Sequence, residues 1–81
     1  MTTLRDFKAW HDARAYDDVW IEGLSTGGRR EQGFVVRPAG ARWNLSFFER
    51  GQEELLEGDL DETALVALLR REVERIHRPR P

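Results

Sequence analysis

Cysteine is absent from this 81-residue chain. That excludes a disulfide framework and any thiolate metal site, and it suits a reducing compartment. No apolar run approaches the roughly 20 residues that a membrane-spanning helix needs. The first ten residues, MTTLRDFKAW, lack the charged and apolar regions of a signal peptide. Proline numbers three. Pro38 sits in a turn-like stretch. Pro79 and Pro81 belong to the tail 78–81, which cannot continue a helix and is expected to fray. The two histidines, His11 and His77, lie almost as far apart as the chain allows. Lysine is reduced to Lys8, so 12 of the 13 basic residues are arginine. A single domain, a cytoplasmic location and a monomer or small oligomer are the expectations that follow.

What is present is a 40% hydrophobic content with eight aromatics, enough for a core and against disorder. Residues 42–51, RWNLSFFERG, carry the strongest strand pattern. Trp43, Leu45 and Phe47 alternate with Asn44, Ser46 and Phe48, the period of a half-buried strand. Arg50-Gly51 makes a tight turn, and residues 52–57 return as a strand. Upstream, residues 33–37 and 19–23 read as two further strands, separated by the loop Ser25-Thr26-Gly27-Gly28. Leu4, Phe7 and Trp10 recur at helical spacing behind the N-cap residue Thr3, predicting a helix over 4–15. Leu65, Leu68, Leu69, Val73 and Ile76 predict a second helix over 60–77, with Asp59 and Glu62 spaced as a capping box. The order is α-β-β-β-β-α. Short links between strands predict an α+β fold, a four-stranded antiparallel meander flanked by an N-terminal and a C-terminal helix.

Candidate chemistry is sparse. His11 reads as an exposed helix residue, and His77 as complementing a helix C-terminus. Neither has a metal-ligand pattern around it. No serine or threonine sits with a base and an orienting group, as nucleophilic catalysis needs. Gly27-Gly28-Arg29-Arg30 lacks the spacing and following helix of a phosphate-binding loop. No cofactor, metal or enzymatic activity is expected.

Surface composition says more. From Glu49 to Glu62, seven acids face one base: Glu49, Glu53, Glu54, Glu57, Asp59, Asp61 and Glu62 against Arg50. This segment reads as a solvated edge with helix capping, or as an acidic partner surface. Trp20 and Phe48 fall on the sheet face opposite Ile21 and Phe47. If the helices cover the latter face, these aromatics form a protein-binding surface. Alternatively a helix crosses to cover them, or they pair across strands. Arginines 29, 30, 37, 42 and those of the tail could make a basic stripe, but the net charge of −2 opposes a nucleic-acid role.

Residues 43–51, WNLSFFERG, resemble a strand of the small immunity proteins of bacterial polymorphic-toxin systems, of the form Trp-x-Val-aromatic-aromatic-Ser-Glu-Arg-Gly. Trp43, Leu45, Phe47, Glu49, Arg50 and Gly51 match it. Leu55-Leu56 falls where a return strand follows, and Asp61-Glu62-Thr63-Ala64 where an acid-rich helix start ends in alanine. Ser46, Phe48 and Thr63 depart from the pattern, and the match spans residues 42–69. The resemblance implies a non-catalytic cytosolic protein that binds and blocks a cognate toxin. The partner-binding residues would then be Trp20, Phe48, Glu49, Glu53, Glu54, Glu57, Asp59 and Asp61. Two alternatives stand beside it. One is a small structural or regulatory domain that self-associates through the open sheet face. The other is a nucleic-acid accessory protein using the arginine-rich tail.

Overall fold

A computed structural model of the chain describes residues 3–26 and 32–77. The tail 78–81 and the Gly27–Arg30 stretch lie outside the described residues. The elements are α1 (Leu4–Ala13), β1 (Val19–Ile21), β2 (Gln32–Ala39), β3 (Arg42–Glu49), β4 (Gln52–Leu60) and α2 (Glu62–Ile76). They form the α-β-β-β-β-α order, with one sheet in the sequence order β1-β2-β3-β4. β2, β3 and β4 are the antiparallel part.

β1 breaks the expected meander, because it runs parallel to β2, with Val19, Trp20 and Ile21 opposite Phe34, Val35 and Val36. A parallel pairing needs a crossover of a dozen or more residues, usually helical. Here ten residues, 22–31, separate the strands, which suffices because β1 is three residues long and the chain climbs back only about 10 Å. Leu24 tucks against the core in this return. The Ser25 hydroxyl accepts the Ile21 N–H at 2.8 Å, which closes the outer edge of β1 at that residue.

Gly33 packs directly against the backbone of Asp18, just before β1. A Cβ there would lie 2.7 Å from the backbone oxygen of Asp18. The same oxygen accepts the Phe34 N–H at 2.7 Å. Because Phe34 and Val36 direct their backbone groups toward β1, so does Pro38 by alternation. β1 has ended by then, so the proline costs no ladder bond.

Both helices cover one face of the sheet. Leu4 and Phe7 of α1, Leu65, Val66, Leu69 and Val73 of α2, and Ile21, Phe34, Val36 and Leu45 of the strands make one buried cluster. Thr3 caps α1, accepting from the Asp6 N–H at 3.1 Å. α2 starts two residues later than its spacing predicts, because Leu60 still pairs with Trp43 in β4. Its cap is therefore Asp61, which accepts the Ala64 N–H at 2.7 Å, and not Asp59. Glu62 instead reaches α1, accepting the Leu4 N–H at 2.8 Å. At the other end, His77 meets Asp18, just beyond α1. The two helices thus lie side by side and point the same way.

α1 ends at Ala13, short of the predicted Ala15, and Ala15 turns the chain with φ of 56°. The left-handed conformation costs a non-glycine residue about 1–2 kcal/mol. Ala15→Gly is therefore expected to stabilise the domain by roughly 0.5–1 kcal/mol, after allowing for the freer unfolded chain. Chemical denaturation should show a higher midpoint at unchanged slope.

Candidate functional site

The helix ends converge on Asp18. One of its carboxylate oxygens lies 2.7 Å from His11 Nε2 and the other 2.9 Å from His77 Nε2. Tyr16 stacks flat on the His77 ring at 3.8 Å between centroids and meets the His11 ring edge-on. His11 is only 4% exposed, so the expectation of an exposed helix residue fails. The signal that could have found it is spacing. His11 lies seven residues after Leu4 and four after Phe7, on the same buried stripe. The carboxylate link, by contrast, joins residues 59 apart and left no trace in the sequence.

Burial pushes the Asp18 carboxyl upward. Hydrogen bonds from His11, then His77, and from its own backbone outweigh that and hold it below the ordinary carboxylate value. The cluster is built as a tether. Both Nε2 atoms lie against one carboxylate, and the His11 ring is buried. Among the described residues no three His, Asp or Glu side chains are placed to hold a metal.

The predicted binding residues lie elsewhere and divide into two groups. Trp20 and Phe48 do share the sheet face without helices, on either side of Gly33, and together with Val35 they line one small hollow. Both are half-buried. Between them and β4 runs a charge ladder. Arg37 bonds Glu53 through two nitrogens at 2.8 and 2.9 Å and Glu22 at 2.8 Å, and its guanidinium lies 5.9 Å from the Trp20 ring. Glu53, chiefly, raises the Arg37 pKa further above its ordinary value. Val35 and Ser46 are buried on this face with no helix over them, because these longer side chains close above them.

The acids fall into two sets. Glu53 is held by Arg37, Asp59 faces Arg42 at 3.5 Å, and Asp61 caps α2. Glu49, Glu54 and Glu57 are exposed, and none has an ion-pair partner among the described residues. Beside the last two stand the exposed large hydrophobics of the described chain: Leu55 at 59%, Leu56 at 49% and Ile76 at 48%. A bulge in β4 explains their placement. Leu45 pairs with Glu57 and Ser46 with Leu55, so Leu56 is the extra residue. Leu55 consequently stands on the open face. Leu56 leans to the helix side, where Phe47, Leu68 and Ile76 line a groove with it.

Comparison of the chain with protein-family models, with curated proteins and with solved structures finds no significant match. Its surface must therefore be read from its own chemistry. Among the described residues no helix is long and apolar enough to cross a membrane. Arg37 and Arg42 are engaged by acids on the sheet, whereas Arg14 and Arg70 flank the Trp10 ring between the helices at 4.5 and 4.8 Å. Arg29, Arg30, Arg78 and Arg80 lie outside the described residues.

Proposed function

We propose that this chain is a protein-binding domain that docks a basic protein on β4 and the adjoining open sheet face. The observation that carries the reading is the β4 border. There the exposed acids Glu54 and Glu57 stand beside the exposed side chains of Leu55, Leu56 and Ile76. Exposed apolar groups rimmed by charge mark interaction surfaces. The acids would steer a basic partner and set its association rate, and the apolar groups would supply the desolvated centre. Trp20 and Phe48 extend that surface across the open face. The resemblance of residues 42–69 to toxin-immunity proteins gives the reading its specific form. In that form the chain is a cytoplasmic inhibitor that binds and blocks a basic toxin domain.

The test is capture of partners from the source organism's lysate with the full chain as bait, at low and moderate salt. A stoichiometric basic protein, bound more weakly as salt rises, is the expected result. The double variant Glu54→Lys/Glu57→Lys should then weaken binding about tenfold at low salt, with the gap narrowing toward 0.5 M as screening grows. Unchanged affinity would remove the acidic border from the mechanism. Like charges on β4 oppose its pairing with a second copy, so light scattering should find a monomer. A dimer disrupted by Trp20→Ala would favour self-association instead.

A further inference from the structure

The sheet has two borders, and they differ. On β1 the border is three residues long, and Ser25 accepts the Ile21 N–H there. On β4 it is nine residues long, with no strand beyond it among the described residues. The backbone directions on β4 follow by alternation from the parallel pair. Phe34 points its N–H at β1, so Val35 points at β3. Its partner Ser46 points back at β2, and Ser46 lies opposite Leu55. Leu55 therefore directs its N–H and C=O away from β3, outward from the sheet.

That outward backbone is flanked by apolar side chains on both faces, Leu55 on one and Leu56 with Ile76 on the other. It is also flanked by the exposed carboxylates of Glu54 and Glu57. The geometry points to strand addition as the binding mode: β4 takes an extended, basic segment of the partner protein as a fifth strand. The ladder would hold the segment's backbone. Its alternate side chains would fall on the Leu55 face and into the Phe47–Leu56–Leu68–Ile76 groove. Lysine or arginine on the groove side would meet Glu54 and Glu57, which stand opposite Phe47 and Leu45. The same acids explain why the occupant is not a second copy, since pairing β4 with β4 sets carboxylate against carboxylate. This mode rests on the protein-binding reading given above and narrows it to one strand and one kind of ligand.

The probe is a random 12-residue peptide library displayed on phage and selected against the full chain at low salt. Enriched peptides should combine Lys or Arg with Val, Ile, Leu or Phe. Their affinity, read by fluorescence anisotropy, should fall at least tenfold in Leu55→Pro, which removes the outward donor and spares the β3 ladder. It should stay within twofold in Trp20→Ala. Leu56→Lys fills the groove with charge and gives a second variant should Leu55→Pro melt below the assay temperature. No enrichment, or enriched peptides indifferent to both β4 variants, would overturn the inference. If the lysate partner still binds in a charge-dependent way after that result, the protein-binding reading survives and only strand addition is lost. If neither partner nor peptide binds, both fall.

Discussion

Asp18→Ala is expected to lower the melting temperature by about 10–20 °C, corresponding to roughly 2–3 kcal/mol in a domain of this size. The estimate comes from what the side chain leaves behind. His11 is buried, and its Nε2 lies 2.7 Å from the carboxylate. Removing the carboxylate strands that nitrogen, and an unsatisfied buried polar group costs about 1–3 kcal/mol, with charge-assisted bonds at the upper end. His77 loses its bond as well, but it is one-third exposed, and water replaces much of what is lost. Asp18→Asn keeps the shape and one acceptor, so it should cost less.

The pH dependence separates this bond from simple packing. The folded Asp18 carboxyl lies below its ordinary value of 3.8. It therefore binds its proton less readily in the folded chain than in the unfolded one. Its contribution is full above the unfolded value and disappears as pH falls through the lowered folded value. The stability gap between the native protein and Asp18→Ala should accordingly shrink below about pH 4, where the unfolded carboxyl begins to take up protons. Urea titrations at pH 6, 4 and 3 measure it. A gap that stays constant to pH 3 would assign the loss to packing alone.

Gly33→Ala is the second large effect, at about 2–3 kcal/mol, from an overpacked contact in a backbone conformation that side chains rarely adopt. The new methyl would stand 2.7 Å from the Asp18 backbone oxygen. Backbone lies on both sides of this contact, so no rotamer change relieves it. β1 must move off β2, and the oxygen that would move is the one that accepts the Phe34 N–H. The expected readout is faster amide exchange at Phe34 together with the lower melting temperature. Exchange at Phe47, in β3, should rise only with global unfolding.

Much of the architecture was legible in local patterns. Both helices, four strands and their order follow from spacing, caps and turns, and β3 was read to its residue limits because its alternation and its bounding turns agree. The errors occur where a distant contact decides. Glu53, Glu54 and Glu57 make β4 look weak, yet it runs on to Leu60 because Trp43 of the neighbouring strand pairs with it. That pairing moves the α2 cap to Asp61. The Gly-rich loop after β1 was read as a link between antiparallel neighbours, because nothing local distinguishes a short parallel return from a turn. For the surface, alternation correctly placed Trp20 and Phe48 on the face without helices. It could not reveal that Arg37 runs between two carboxylates beside Trp20. Nor could it foresee the β4 bulge that brings both Leu56 and Glu57 to the helix-side groove.

The side-by-side helices also shape how the chain must assemble. β2, β3 and β4 are joined by two-residue turns and find one another among near neighbours in sequence. The helix contacts close much larger loops, with Leu4 and Glu62 58 positions apart and Asp18 and His77 59 positions apart. Each doubling of loop length adds about 0.6 kcal/mol of closure entropy. The three-stranded meander can therefore form before either helix docks, and α1, joined to the meander through the short β1, has the least local support. Native-state exchange should find the amides of α1 opening at lower free energy than those of β3, and equal values would show that the domain opens only as a whole. On this ordering, the Asp18 tether is among the last contacts made and the first to be lost.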